Sequence, residues 1–203
     1  MALVDQYSGV IFDYGGVLVS HQTAADSERL SSIARIPADL FHQLYWSERL
    51  AYDKGLMTAE DYWNDLAQRG DTEITPAQIK DLIDADNESW SRFDQTMYEF
   101  VQSLIDAGKR VAVLSNMPHE LGLFLKTTTR AFAPFHHITL SYEVQSVKPE
   151  PHIYQHCLDG LGVSAKETLF LDDRIENVHG AESLGINAIQ FTSRDEVLPK
   201  LKS

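Results

Sequence analysis

Polar residues that follow apolar runs are the part of this 203-residue sequence best suited to chemistry. Asp13 comes directly after Val10-Ile11-Phe12, and two glycines, Gly15 and Gly16, let the chain turn tightly beside that carboxylate. A carboxylate can attack phosphorus to give an acyl phosphate. Further polar groups follow later apolar runs, at Ser115-Asn116, at Lys148 in a loop, and at Asp172-Asp173.

These later groups are the ones that an anionic nucleophile needs when it attacks an anionic ester. The Ser115 hydroxyl, the Asn116 amide and exposed backbone N–H groups can hold phosphoryl oxygens. Lys148 can neutralise them, and the acids at 172 and 173 can hold Mg²⁺ through oxygen ligands. Together these groups predict a phosphoryl-transfer site.

Alternating strands and helices must bring these residues together. We expect strands at Gly9–Asp13, Arg110–Ser115, His137–Leu140, Thr168–Asp172 and Asn187–Phe191. We expect helices at Asp94–Ala107, Pro118–Thr128, Pro151–Leu161 and Arg174–Leu184, with glycines as stops after the first and the last of them. This alternation predicts an open, mostly parallel sheet with helices on both faces, whose ligands bind beyond the carboxyl ends of the strands.

Residues 21–90 contain helical patterns and no convincing strand. Pro37–Trp46 begins with a proline in the first turn, Thr58-Ala59-Glu60-Asp61 resembles a capping box before a helix that stops at Gly70, and Thr75-Pro76 opens another helix. We therefore expect a helical domain inserted after the first strand.

Four motifs in order give the chain a resemblance to the haloacid dehalogenase superfamily over nearly its whole length. They are Phe12-Asp13-Tyr14-Gly15-Gly16-Val17-Leu18, Val113-Leu114-Ser115-Asn116, Val147-Lys148-Pro149-Glu150-Pro151, and Leu171-Asp172-Asp173 with Asn177. The resemblance implies an α/β fold, a Rossmann-like open parallel sheet carrying an inserted all-helical cap of the family's first (C1) type. The core would be residues 1–20 and 91–203, and the cap residues 21–90.

The resemblance also assigns roles to the catalytic and phosphate-binding residues. Asp13 would be the nucleophile and a metal ligand, and Lys148 would bridge it to the phosphate. Ser115 would bind phosphate, with Asn116 beside it.

Metal binding follows from the same resemblance. Asp173 falls at the acidic ligand position for Mg²⁺, with Asp172 beside it as a ligand or as support for one. Asn177 stands where many relatives have another acid, so hydrogen bonding is its expected role. The backbone carbonyl of Gly15 would also bind the metal.

Gly15 is the departure from the family pattern. Most phosphatases of the superfamily have an aspartate there, which protonates the leaving oxygen, a contribution of roughly 10²–10⁴ in rate. We expect either a good leaving group, such as an anomeric hydroxyl, an enol or an acyl group, or another proton donor, for which His21 at the entrance to the cap is a candidate.

The substrate indicated by these motifs is a small phosphorylated metabolite. The Asp-any-Gly first motif, the Asp-Asp-any-any-any-Asn fourth motif and the stretch Tyr52-Asp53-Lys54-Gly55 resemble the sugar-1-phosphate phosphatases, which favours a hexose 1-phosphate. The alternatives are a 2-haloacid dehalogenase, which would lack the adjacent acids, and a related protein that binds phosphate with little turnover. A signalling receiver domain is disfavoured because its phosphoacceptor does not end the first strand.

For several cap residues and histidines a structural role is favoured over a functional one. In the cap, Tyr45, Trp46, Arg49 and Tyr52 are candidates for the pocket wall, although aromatic residues at helical spacing are more often core. His119 follows the second motif closely, but a structural role at the start of a helix is favoured. His152 and His156 are spaced for chelation without a third ligand nearby, which favours a solvated helix face.

Composition limits the remaining classes. The formal net charge of −13 argues against a sequence-independent grip on nucleic acid. One cysteine, Cys157, excludes an intrachain disulfide and is typical of a reducing compartment. Without a signal pattern or a bilayer-length apolar run, we expect a cytoplasmic protein that binds no membrane, as a monomer or homodimer.

Overall fold

A five-stranded parallel sheet forms the centre of the computed structural model, which describes residues 2–202. The strands are β1 (Gly9–Phe12), β2 (Arg110–Ser115), β3 (His137–Leu140), β4 (Thr168–Asp172) and β5 (Asn187–Gln190). Their order across the sheet is β3-β2-β1-β4-β5, which leaves β1 in the middle. This arrangement confirms the predicted α/β fold, and two strands end one residue earlier than expected.

The central strands form because their residues are apolar on both faces. All four residues of β1 and all five of β4 are buried, as a parallel sheet covered by helices on both sides requires. Phe12 pairs in register with Val113 of β2 and Leu171 of β4. The three strands therefore end at the same edge, where their next residues can meet.

Helices connect the strands and precede them. They are α1 (Ala24–Ala34), α2 (Ala38–Ser47), α3 (Arg49–Asp53), α4 (Ala59–Arg69), α5 (Pro76–Ser89), α6 (Gln95–Asp106), α7 (His119–Thr128), α8 (Ser141–Val144), α9 (Pro151–Leu161), α10 (Ile175–Ser183) and α11 (Arg194–Leu201). None of the helices within residues 2–202 is long and apolar enough to cross a bilayer.

The five helices from α1 to α5 have a hydrophobic core of their own. Trp63, Phe41, Leu66 and Leu82 are among its buried members, and this cluster is separate from the two clusters that pack on the faces of the sheet. The insertion is therefore all-helical, as predicted; the exact boundaries at residues 20 and 90 stay a prediction.

Helix ends in this insertion follow the capping signals, with small corrections. Thr58 and Thr75 accept hydrogen bonds from the backbone N–H groups of Asp61 and Gln78, which completes a capping box in each case. Pro37 is the residue before α2 and not its first residue, since the helix begins at Ala38. Proline is still compatible with that place because a helix start leaves its first N–H groups unpaired in any case.

Candidate active site

The carboxyl ends of β1, β2 and β4 bring Asp13, Ser115 and Asp172 to one edge of the sheet. A cavity of about 450 Å³ opens there. Nearly every residue that the sequence singled out lines this cavity, namely Asp13, Gly15, His21, Ser115, Asn116, Lys148, Asp173 and Asn177. Asp172 is not among them, since it lies buried behind the wall. Residues up to 164 positions apart in the chain are therefore neighbours in the fold.

Lys148 lies between two carboxylates at the base of this cavity. Its Nζ is 2.8 Å from Asp13 Oδ1 and 2.6 Å from Asp172 Oδ2, and the lysine is only 2% exposed. The Asn116 side chain fixes the lysine loop, because its Oδ1 accepts from Lys148 N at 2.8 Å and its Nδ2 donates to Lys148 O at 3.1 Å. Asn116 thus positions the lysine in addition to facing the cavity.

Asp172 and Asp173 have different surroundings although they are adjacent. Asp172 is fully buried, and its oxygens accept hydrogen bonds from Lys148 Nζ, the Asn177 amide and Arg174 N. The Asp173 side chain is 21% exposed and lines the cavity. Asn177 therefore supports Asp172, as its expected hydrogen-bonding role requires, and Asp173 is the freer carboxylate.

The three acids Asp13, Asp172 and Asp173 offer carboxylate oxygens that all lie within 4.8 Å of one another. Burial raises the pKa of Asp13 well above its usual range; Lys148 opposes this shift, and the carboxylates of Asp172 and Asp173 add to it. Burial lowers the pKa of Lys148, but its two carboxylate neighbours outweigh that effect and the net shift is upward. Three acids facing one ammonium leave excess negative charge, so the donor set fits a hard divalent cation such as Mg²⁺.

Ser115 and His21 line the same cavity. Ser115 is 2% exposed, and its hydroxyl has only a 3.5 Å contact with Asn116 O. The His21 side chain is 63% exposed, and its Nε2 is 3.4 Å from Asp173 Oδ2. Both positions are compatible with the expected roles, phosphate binding for Ser115 and proton donation for His21.

The helical insertion supplies the outer wall of the cavity. Of the cap residues considered from sequence, Trp46 and Arg49 line it, whereas Tyr45 and Tyr52 are buried in the insertion. Arg49 is buried and pairs with two acids, through Nε to Asp53 Oδ1 at 2.9 Å and through an Nη to Asp86 Oδ2 at 3.1 Å. The insertion therefore offers the cavity a charge-compensated arginine beside apolar surface.

Some lining residues escaped the sequence analysis. They are Leu50, Trp90, Met117, Leu121 and Arg174, whereas Tyr14 and Asp53, which also line the cavity, stand in motif one and in the stretch Tyr52-Asp53-Lys54-Gly55. Met117 and Arg174 follow motif residues directly, so their proximity to the site was available as a signal. Trp90 gave no such signal, because it follows the last helix of the insertion and reaches the cavity only through the fold.

The remaining histidines lie away from the site. His119 begins α7 outside the cavity wall, with Nδ1 3.6 Å from Glu120 Oε1. The His156 ring is hydrogen-bonded to Thr139, at 3.1 Å between Nδ1 and Oγ1. Among the described residues, His152 and His156 are not part of a metal-like cluster.

Comparison with known proteins points to one family. A model of the haloacid dehalogenase-like hydrolases matches residues 7–185. Drimenol cyclase drtB of Aspergillus calidoustus is 26% identical over 196 residues, which cover 95% of this chain but 35% of that protein. The chain thus spans about a third of this relative's length.

Two further matches extend over most of both chains. D-ribitol-5-phosphate phosphatase of Bacteroides thetaiotaomicron is 23% identical over 195 residues, 89% of this chain and 90% of that one. A crystal structure of a HAD family enzyme from the same species, in complex with magnesium and inorganic phosphate, has a TM-score of 0.75 at 23% identity and covers 91% and 93% of the two chains. The second match shows that the folds are alike.

Proposed function

Because the chain belongs to the haloacid dehalogenase-like hydrolases, we propose that it is a phosphatase, which hydrolyses a small phosphomonoester through an aspartyl phosphate on Asp13. The observation that carries this proposal is the geometry of the cavity base. There the buried Lys148 bridges the carboxylates of Asp13 and Asp172. Oxygens of these two acids and of Asp173 all lie within 4.8 Å of one another.

The reaction has two balanced steps. A carboxylate oxygen of Asp13 bonds to phosphorus while the bond from phosphorus to the leaving oxygen breaks, and that oxygen leaves as an anion or takes a proton from His21. Water then attacks the phosphorus of the acyl phosphate, which releases inorganic phosphate and restores the carboxylate. The ammonium group of Lys148 stays beside Asp13 in both steps and balances the negative charge of the phosphoryl group. The Ser115 hydroxyl donates a hydrogen bond to a phosphoryl oxygen.

Asp13 and Asp173, with the Gly15 carbonyl, would hold Mg²⁺, and Asp172 and Asn177 would support that arrangement. When bound, the cation supplies positive charge that lowers the repulsion between carboxylate and phosphate. The excess of carboxylates over cationic groups at the base of the cavity supports this part of the proposal.

For the substrate we propose a sugar phosphate such as a hexose 1-phosphate. Its support is the resemblance of motifs one and four, the polar groups Arg49 and Asp53 in a mostly apolar wall, and a relative named for ribitol 5-phosphate. A 2-haloacid dehalogenase, the second candidate, uses its aspartate without a metal. The cluster of three acids favours the phosphatase, because a dehalogenase has no use for the additional negative charge.

The proposal predicts that turnover depends on both Asp13 and Mg²⁺. We expect Asp13→Asn to lower kcat for an aryl phosphate by at least about 10³-fold, since an amide is a poor nucleophile. Chelation of Mg²⁺ should abolish wild-type turnover and its return should restore it. The measurement is release of the aryl alcohol and of inorganic phosphate.

The matched control is Asp106→Asn, which makes the same change at an exposed aspartate at the end of α6. It should retain wild-type turnover. A wild-type protein that releases no phosphate from aryl, acyl or sugar phosphates in Mg²⁺ would contradict the proposal. Halide release from 2-chloropropionate without metal would support the dehalogenase instead.

A further inference from the structure

The space beside Gly15 is filled by another side chain. A Cβ atom built on Gly15 would lie 3.2 Å from Cζ3, 3.6 Å from Cε3 and 3.9 Å from Cη2 of Trp90. All three atoms belong to the six-membered ring of the indole. A Cβ at position 15 would therefore be in tight contact with Trp90, and the indole packs closely on this glycine.

Trp90 is held from both parts of the molecule. Its carbonyl accepts a hydrogen bond from Tyr14 Oη at 2.8 Å, and its Nε1 donates to Tyr45 Oη at 3.3 Å. Tyr14 directly follows the nucleophile, whereas Tyr45 belongs to α2 of the insertion, and both tyrosines are at least 98% buried. The indole is therefore anchored at the junction between the sheet and the helical insertion.

The anchored indole faces the reaction site. Trp90 and Asp13 line the same cavity, and Trp90 packs on the residue two positions after Asp13. Leu50, Met117 and Leu121 continue the wall with apolar surface. A group attached to a phosphorus atom beside Asp13 would share this cavity with an aromatic ring and apolar side chains.

We propose that Trp90 is a specificity-determining residue whose indole packs on a leaving group that contains a ring with a flat apolar face. The C–H face of a pyranose and the face of an aryl ring share this property. Gly15 favours this contact, because a Cβ at position 15 would press on the indole at 3.2 Å and require it to shift by a few tenths of an ångström. The inference rests on the proposed phosphatase function and narrows its substrate class.

The test compares ring-containing and acyclic phosphates of good leaving groups. Trp90→Leu keeps apolar volume without the aromatic face, and we expect it to lower kcat/KM for phenyl phosphate or glucose 1-phosphate about 5- to 10-fold. Acetyl phosphate, which is acyclic, should change by less than about twofold. Trp90→Phe should retain most of the preference for ring-containing phosphates. Whichever of phenyl phosphate and glucose 1-phosphate loses more kcat/KM in Trp90→Leu identifies whether the ring is an aryl group or a sugar.

A double-mutant cycle tests the coupling to Gly15. Gly15→Ala places a methyl group against the indole, so it should lower the ratio of ring to acyclic kcat/KM in the wild-type background. In the Trp90→Leu background the same change should leave this ratio unaltered, because the obstructed contact is already lost.

Binding provides a readout that does not depend on turnover. In the Asp13→Asn background, Trp90→Leu should raise the Kd of phenyl phosphate relative to that of acetyl phosphate. Equal losses for ring and acyclic ligands, or no loss for either, would overturn the inference and leave Trp90 a structural residue. A wild-type protein that turns over none of these phosphates would contradict the phosphatase function, while the Kd ratio would still decide the role of Trp90.

Discussion

We expect Gly15 to limit which leaving groups this site can expel. It lines the cavity but carries no acid, and among the described residues His21 is the histidine that lines the same cavity. His21 Nε2 is 3.4 Å from Asp173 Oδ2, on the side of the acid cluster. The leaving oxygen therefore depends either on its own low basicity or on His21 for its proton.

A series of leaving groups separates these two cases. With no proton donor, we expect kcat/KM to fall steeply from aryl and anomeric phosphates to alkyl phosphates, by roughly 10²-fold or more, since general acid catalysis contributes 10²–10⁴. His21→Gln should then leave the slope unchanged. A shallow slope that becomes steep in His21→Gln would instead assign the proton to His21, and equal rates across the series in both proteins would contradict the leaving-group hypothesis.

The residues at the strand ends were predictable, whereas Trp90 was not. Asp13, Ser115 and Asp172 each end an apolar run, and parallel strands must bring such residues to one edge of the sheet. Lys148 lies in a loop and needed the motif order. The position of Trp90 depends on how the insertion packs against the sheet, through Tyr45 on one side and Tyr14 on the other, and no local pattern encodes that contact.

At the scale of elements, capping signals located helices better than periodicity did. Helix α1 was not predicted, and its apolar stripe is narrow because only Leu30, Ser31 and Ala34 of its residues are buried. Thr23 and Asp26 nevertheless form a capping box before it, with Asp26 Oδ2 accepting from Thr23 N at 2.6 Å. The Thr-Ala-Ala-Asp spacing was therefore a usable signal. The short α3 had none, since it begins directly after α2.

The helix α3 carries a buried carboxylate, that of Asp53, whose ionisation depends on pH in the weakly acidic range. Arg49 begins the helix and Asp53 ends it, and Arg49 also pairs with Asp86 of α5. Burial raises the pKa of Asp53 to about 6, against the opposing effect of Arg49. With both acids ionised the buried cluster has an uncompensated negative charge, so a proton on Asp53 relieves it.

This shift predicts a pH-dependent stability that Asp53→Asn removes. The folded chain holds the proton more tightly than the unfolded one, so the stabilisation is complete below about pH 4 and is lost as the pH rises through about 6. Relative to Asp53→Asn, the wild type should lose roughly 2 kcal/mol of unfolding free energy between about pH 4.5 and 7. Urea unfolding of both proteins at the two pH values measures this difference. A difference that does not vary with pH would mean that Asp53 stays ionised.

At the scale of the whole molecule, the net charge of −13 acts on any phosphate that approaches. The cations near the cavity do little to offset it at long range. Lys148 lies between two carboxylates, Arg49 pairs with two more, and Arg174 is 3.8 Å from Glu176. We therefore expect a dianionic phosphate to approach through a repulsive field and to meet compensating charge only once it is inside the cavity.

Salt should consequently speed the encounter with substrate. The Debye length shortens to about 10 Å at 0.1 M ionic strength, which screens distant repulsion but not the contacts around Lys148. We expect kcat/KM for a dianionic aryl phosphate to rise about twofold between roughly 20 and 200 mM KCl at fixed free Mg²⁺. Turnover at saturating substrate should stay constant, because the bound complex is no longer repelled. A fall in kcat/KM over this range would show that the cations of the cavity wall control the approach, and that the compensated pairs leave a local attractive field.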